Sequence, residues 1–230
     1  MIRFVVLCAA FALAACESIP ELPTVTEGGP AWDQHQAALG KLKHWQLDGR
    51  LAVNNGTEAW NINLRWQQNG DDYQIELSGP FGAGKVQLIG DAHGVLLRDS
   101  DQNTFYATSP EELLYQQTGV IMPVTGLRYW VLGLPAPYHV SHPAFDQQGR
   151  LAKLQQADWQ VAFRRYTQVD AFVLPDKIFI AKIDNSVDVR LVVDAWQLDE
   201  AQKPRAGGRE MNQLYFRYGS LSLVTHPSYR

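Results

Sequence analysis

The feature that most constrains this fold is a strict two-residue alternation of apolar and polar side chains that begins near residue 45. Three consecutive segments, at about 45–53, 60–67 and 73–77, share it. This period is typical of β-strands with one buried and one wet face. Asn55-Gly56 and Asn69-Gly70 separate the segments, and Asn-Gly is a strong signal for a tight hairpin. The pattern predicts an antiparallel meander with an unusually bulky apolar face, which carries Trp45, Leu47, Leu51, Val53, Trp60, Ile62, Leu64, Trp66, Tyr73, Ile75 and Leu77.

Strands dominate the rest of the chain as well. Three helices are predicted: one over 32–42, one that starts at the N-cap Ser109 and ends at Gly119, and one over about 124–132. Many strands with few helices favour a barrel or a strongly curved sheet in one domain. The further strand-like runs are 85–90, 94–99, 102–107, 150–156, 158–166, 176–184 and 187–197.

The N-terminus has the pattern of an export signal. Arg3 precedes a short apolar run, and Leu13-Ala14-Ala15-Cys16 closes it. These four residues resemble the bacterial lipobox, in which the Cys is lipidated and becomes the first residue after cleavage. The alternative is an ordinary signal peptide cut after Ala15, which would leave a free thiol. We therefore expect a signal peptide at 1–15, a lipidated Cys16 with a flexible tether at 16–31, a β-barrel domain at 32–198 and an extension of unknown role at 199–230.

Composition limits the partners and the compartment. The formal net charge is −4 and the chain has no basic run, so nucleic acid is an improbable partner. Cys8 leaves with the signal and Cys16 carries lipid, so no disulfide is expected. After the signal no apolar stretch is long enough to span a membrane, and contact with one must come from the lipid or the protein surface.

Two short motifs suggest ligands, but their context argues against both. Residues 79–85, Gly-Pro-Phe-Gly-Ala-Gly-Lys, match the start of a phosphate-binding loop, yet Val86 follows where Ser or Thr is needed and a strand continues. His139 and His142 are spaced so that, in an extended segment, they point to opposite faces. We therefore predict neither a nucleotide site nor a metal site.

No catalytic constellation remains in the sequence. No Gly-x-Ser-x-Gly elbow frames a serine. The paired carboxylates Glu111-Glu112 and Asp71-Asp72 lie at a helix start and a turn, where capping and solvation explain them. We expect a protein that is not an enzyme and needs no cofactor besides the lipid on Cys16.

Two features have more than one interpretation. The tryptophan-rich face is either a packed core or the wall of a ligand cavity, and the sequence favours neither. The glycine-rich connection at 78–84 carries a single large apolar residue, Phe81. Phe81 either folds back onto the core or projects from a tip that reaches a membrane or a partner.

These residues complete a resemblance to the LolB family, outer-membrane lipoproteins that receive other lipoproteins and insert them. It covers Trp32 to about Trp196. The matching motifs are Trp32-x-x-His35-Gln36, Trp45-Gln46-x-x-Gly49-Arg50, Arg65-Trp66-Gln67-Gln68, Gly79-Pro80-Phe81-Gly82 and Leu127-Arg128-x-Trp130-x-Leu132-Gly133-Leu134-Pro135.

The resemblance implies a mainly β fold, an unclosed antiparallel β-barrel with helices that cover an apolar cavity for acyl chains. The family's membrane-insertion tip, usually Leu, falls on Phe81, flanked by Pro80 and Gly82. Glu17 differs from the Asp that often retains lipoproteins at the inner membrane, so outer-membrane sorting is allowed. The residues expected to line the cavity are Trp45, Leu47, Trp60, Ile62, Leu64, Trp66, Ile75, Leu77, Leu113, Leu114 and Trp130.

The implied function is transfer without nucleotide. A monomer anchored at the periplasmic face of the outer membrane would accept cargo lipoproteins, through their acyl chains, from a periplasmic carrier similar to LolA. The main alternative is an envelope lipoprotein that binds a small apolar ligand or acts as a scaffold. An enzyme of unrecognised chemistry is a third.

Overall fold

The structure, a computed structural model, describes residues 24–137 and 139–198. The predicted signal peptide, Cys16 and the extension at 199–230 lie outside the described residues. The helices are α1 (Gly29–Leu39), α2 (Pro110–Thr118) and α3 (Val124–Trp130), and a 3-10 turn spans Pro80–Gly82. The strands are β1 (His44–Asn54), β2 (Ala59–Asn69), β3 (Asp72–Ser78), β4 (Val86–Gly90), β5 (Val95–Arg98), β6 (Thr104–Ala107), β7 (Ser141–Phe145), β8 (Leu151–Gln156), β9 (Trp159–Val169), β10 (Phe172–Lys182) and β11 (Asp188–Leu198).

All eleven strands form one antiparallel sheet in the order β6-β5-β4-β3-β2-β1-β11-β10-β9-β8-β7. The first and last strands pair at its centre, and hairpin connections lead outward on both sides. Within the described residues β6 and β7 are not paired with each other, so the sheet is not closed. This confirms the predicted mainly β, unclosed architecture.

Bulges bend the sheet near its middle. The β1–β11 register shifts at Asp48/Gly49, and the β9–β10 register shifts at Pro175/Lys177. Such shifts bend a strand and increase its twist. A Cβ on Gly49 would lie 2.6 Å from the carbonyl oxygen of Val192, so the close approach of the two backbones there requires glycine.

The inner face of the curved sheet is the core of the protein. The Trp45 and Trp66 rings lie 5.5 Å apart, and Trp196 meets Trp45 edge-on at 5.7 Å. Edge and tilted ring contacts of this kind add to the stability that burial provides. The indole N–H of Trp66 donates to the side chain of Gln68 at 2.9 Å, so the polar end of this buried ring is satisfied.

Helix α1, the segment before it and strand β7 differ most from the prediction. Helix α1 begins at Gly29 and ends at Leu39, so the predicted tether is shorter at its C-terminal end by the residues that enter the helix. Val25 also forms a two-way backbone bridge with Phe145, at 2.9 and 2.8 Å, which fixes the chain beside β7 before α1 starts. Strand β7 itself was not predicted.

One buried side chain joins α3 to the sheet, and its removal gives a sharp test. Gln156 accepts hydrogen bonds from the Trp130 indole N–H at 3.0 Å and from the Ala136 backbone N–H at 2.8 Å, and it donates to the Ala136 carbonyl at 2.8 Å. We predict that Gln156→Leu lowers the free energy of unfolding by about 3 kcal/mol or more, because several buried polar groups lose their partners.

Urea denaturation measures this loss. Gln155→Leu is the matched control, because Gln155 is exposed on the same strand. We expect the control to change stability by less than about 0.5 kcal/mol. A loss of that small size for Gln156→Leu would show that the amide network does not hold α3.

Candidate functional site

Hydrogen bonds fix both ends of helix α2 and join its first turn to the start of helix α3. The Ser109 hydroxyl accepts the backbone N–H of Glu112 at 3.2 Å, and Gly119, with φ of 71°, ends α2 in the left-handed conformation. The predicted cap residues are therefore confirmed. The Glu111 carboxylate accepts the backbone N–H of Thr125 at 2.7 Å, which fixes the start of α3 against α2.

Helix α3 is tied to the sheet on two sides. On one side Trp130 meets Gln156 of β8, as described above. On the other, the Arg128 guanidinium donates to the carbonyl of Gly70 and lies 2.8 Å from the Asp71 carboxylate, both in the β2–β3 turn. The helix therefore bridges two parts of the sheet that are distant along the chain. The Asp71–Arg128 pair gives this turn carboxylate a partner that sequence reasoning missed.

A cavity of about 510 Å³ lies between these helices and the sheet. Volumes of this size are typical of small-molecule sites. Its wall is more apolar than polar, and its polar side chains are those of Tyr73, Asp91, Thr108, Glu111, Thr125, Arg128, Tyr129, His139, Gln156 and Lys182. Burial, together with the charges of Glu111 and Asp91, raises the pKa of the Tyr73 hydroxyl, which therefore stays uncharged.

Of the predicted cavity residues, two line this space, Trp66 and Trp130. The others lie on the same inner face or on α2 but pack into the core in this form of the protein. Their contact with acyl chains stays a prediction. Those buried in the core are Trp45, Leu47, Leu64, Ile75, Leu77, Leu113 and Leu114, and Trp60 and Ile62 are partly buried against it.

Sequence reasoning missed much of the cavity wall. Ile121, Met122, Pro123 and Val124 line it, in the connection between α2 and the start of α3. An apolar run directly after the helix-ending Gly119 is the signal that could have revealed them, because an exposed connection would not carry it. Tyr73 was predicted to share the apolar face but was not named as a cavity residue.

Phe81 is fully exposed at the tip of the loop between β3 and β4. It lies in the 3-10 turn with φ of 58° and ψ of 21°, a left-handed conformation that costs a residue with a side chain about 1–2 kcal/mol. Gly82 follows with φ of 83°. The fold therefore holds a large apolar side chain in water, in a strained conformation. Of the two sequence-based interpretations, the geometry matches the projecting tip.

The structure places the two motifs that sequence context excluded as ligand sites. After the turn at Pro80–Gly82 the chain enters β4, and no helix follows the glycines. His139 lines the inner cavity, whereas His142 faces a groove on the outer side of the sheet, as their spacing predicts.

Among the residues of 24–137 and 139–198, no three His, Cys, Asp or Glu side chains are placed to hold a metal ion. Within the same part of the chain, no helix has the length and apolar character needed to cross a membrane.

Comparison with solved structures gives the fold class. A LolA superfamily protein from Nitrosomonas europaea matches 73% of this chain and 94% of its own, with a TM-score of 0.50 and 7% identity. A putative outer membrane lipoprotein-sorting protein domain from Vibrio parahaemolyticus matches 80% of this chain and 99% of its own, with a TM-score of 0.51 and 8% identity. Identities this low show a shared fold only.

Comparison with sequences gives the family. The family model described as outer membrane lipoprotein LolB matches residues 43–196. The outer-membrane lipoprotein LolB of Nitrosococcus oceani is 40% identical over 195 residues, which are 84% of this chain and 96% of that protein. The protein of the same name from Stutzerimonas stutzeri is 36% identical over 204 residues, which are 88% of this chain and 95% of that protein. The chain belongs to the LolB family of outer-membrane lipoproteins.

Proposed function

We propose that this chain accepts lipoproteins from a periplasmic carrier, holds their acyl chains between the inner face of the sheet and helices α2 and α3, and inserts them into the outer membrane. The observation that carries the proposal is the cavity of about 510 Å³, roofed by the two helices and bounded by Trp66 and Trp130. Family membership supports the receptor role.

A difference in affinity for the acyl chains between the carrier, this chain and the bilayer drives the handover. Each buried CH₂ gains about 0.8 kcal/mol, so a chain leaves one apolar cavity only for another or for a bilayer. The inner face beneath α3 extends the wall, because Trp45, Leu64 and Ile75 lie next to the cavity in the same core cluster. Displacement of α3 would enlarge the space without exposing polar backbone of the sheet. No nucleotide or other cofactor enters this scheme.

Phe81 and the anchor supply the membrane step. The lipid on Cys16 keeps the protein beside the bilayer. The exposed Phe81 enters the interface there, because transfer of its apolar ring out of water is favourable. Local disturbance of the lipids by this side chain opens a path for acyl chains that leave the cavity.

The contacts of Arg128 are expected to control access to the cavity. The Arg128 guanidinium is 26% exposed and holds α3 to the β2–β3 turn. We predict that Arg128→Gln increases the rate at which a fluorescent fatty-acyl probe enters the cavity by about tenfold, because loss of a charge-assisted contact of about 1–2 kcal/mol eases displacement of α3.

Stopped-flow fluorescence with the full mature protein measures this rate. Arg165→Gln is the control, because Arg165 also pairs with an aspartate, Asp176 at 2.8 Å, but on β9 and β10. An equal change in both variants, or none in Arg128→Gln, would contradict a gating role for α3.

Substitutions of Phe81 separate acceptance from insertion. We predict that Phe81→Glu takes a triacylated lipoprotein from its carrier at the normal rate but transfers less than about a tenth of it to membranes. Phe81→Leu should insert normally. Phe81→Gly should be at least as stable as the parent, because glycine relieves the positive φ, yet fail to insert.

Transfer from carrier to outer-membrane vesicles is the assay, and Tyr115→Glu is the control, because Tyr115 is an exposed aromatic residue on α2. Normal insertion by Phe81→Glu would remove the tip from the mechanism. Failure of the parent protein itself to accept a triacylated lipoprotein would instead favour the alternative, an envelope lipoprotein for small apolar ligands.

A further inference from the structure

The outer side of the sheet carries a second concavity that the transfer mechanism does not use. This outer groove has a volume of about 520 Å³ and crosses β7 to β11. It lies on the face opposite the acyl-chain cavity, because its polar residues alternate along the strands with core residues such as Val161, Ile180 and Val189. The side chains that give it its character are His142, Lys153, Arg164, Phe179, Asp188 and Arg190.

The strand register explains why a groove forms here. Ala162 of β9 is paired with Lys153 on one side and with Phe179 on the other, and Phe179 is paired with Arg190. Because the side chain of Ala162 is small, it leaves a depression between the longer side chains of Lys153 and Phe179. Ala181, two residues after Phe179, extends that depression.

Three cations surround the ring of Phe179 in this groove. The guanidinium carbons of Arg164 and Arg190 lie 5.4 and 5.5 Å from the centre of the Phe179 ring, and the Lys177 ammonium lies at 5.5 Å. Each gains a cation–π contact, but like charges gathered around one ring also repel each other. A bound anion would convert this repulsion into attraction.

These three cations lack acidic partners within the part of the chain that the structure describes. The Arg164 Nε is buried and has no hydrogen-bond acceptor there. Buried donors without an acceptor are rare, and each calls for an explanation. Asp188 lies at the rim but forms no ion pair with the three among these residues. In contrast, five arginines elsewhere each pair with an aspartate: Arg50, Arg65, Arg128, Arg150 and Arg165.

The strand register relates the cations of the outer groove to the Phe81 loop. Arg190 is paired with Ala52, and Ala52 is paired with Asn61 of β2. Two residues along β2, Asn63 pairs with Ser78, the last residue of β3 before the Phe81 loop. The cations and the exposed tip thus lie at the same end of the sheet, and a lipoprotein anchored in a bilayer always has lipid headgroups nearby.

We propose that the outer groove binds the phosphate headgroup of an anionic phospholipid in the membrane that holds the anchor. Guanidinium groups donate paired hydrogen bonds to phosphate oxygens, and the ammonium of Lys177 adds a further donor. The buried Arg164 Nε gains an acceptor, which it lacks among residues 24–137 and 139–198. Such binding would orient the protein on the bilayer, independently of the cargo in its cavity.

Vesicle flotation tests the proposal with the full mature chain carrying Cys16→Ser. This substitution removes the lipid, so that any binding to vesicles comes from the protein surface. Vesicles of phosphatidylcholine alone are compared with vesicles that also contain phosphatidylglycerol. Lys177→Gln/Arg190→Gln removes two of the three positive charges around the Phe179 ring. Lys41→Gln/Lys43→Gln removes two exposed charges between α1 and β1 and is the control.

We expect the groove variant to lose about 10- to 30-fold in affinity for the anionic vesicles, since a basic residue near an anionic surface contributes a several-fold effect, and the control to lose less than threefold. Neither variant should change binding to the neutral vesicles, and thermal unfolding should confirm that both variants fold.

Equal losses of affinity in the two variants would show that net charge alone acts and would overturn the proposal. Unchanged vesicle binding together with weaker binding of the carrier would overturn it as well, and would assign the groove to an acidic protein surface. Both readouts are independent of cargo transfer, so the proposed function can stand if the groove proposal fails.

Discussion

The structure depends on one constraint, the need of a single sheet to bury one wide apolar face. Eleven strands present this face, and the sheet does not close on itself within the described residues. A flat sheet would leave the face wet, so bulges at Gly49 and near Pro175 curve it, and helices cover what curvature leaves open. The tryptophans at the centre fill the space that results. Because the cover consists of short helices and not of more sheet, part of the apolar surface can be uncovered without breaking a strand pair.

The two attachments of helix α3 to the sheet differ in strength, which allows the helix to move while the sheet stays paired. Gln156, almost completely buried, holds the C-terminal end of α3 through several hydrogen bonds. Arg128 holds the opposite side through the β2–β3 turn, where its partner Asp71 is largely exposed. The Arg128 contacts, which contribute about 1–2 kcal/mol, break more readily than the buried amide network, whose loss leaves several polar groups without partners. Helix α3 is therefore expected to move about the Gln156 side, which opens the cavity toward the turn.

Local pattern predicted the strands well and the site only in part. The alternation from Trp45 and the Asn-Gly turns located β1 to β3, because period and turn chemistry act within a few residues. Strand β7 was missed because Pro143 interrupts its sequence, and proline is tolerated there since only β8 pairs with it among the described strands. The contact of Arg128 with Asp71 joins residues 57 positions apart, and the outer groove needs side chains from several strands. Sequence periodicity predicts which face of a strand a residue occupies, but it does not predict which distant side chains the residue contacts.

The most direct test of the account asks whether α3 must move for cargo to enter. Asp71→Cys/Arg128→Cys places two thiols where the native side chains meet, in a chain whose native cysteines are Cys8, expected to leave with the signal, and Cys16, expected to carry lipid. A short bismaleimide cross-link then ties α3 to the turn. We expect the cross-linked protein to take no triacylated lipoprotein from the carrier, and the same variant without the cross-linker to take it at the normal rate or faster. Equal acceptance by the cross-linked and the free protein would contradict an acyl-chain cavity that opens through α3.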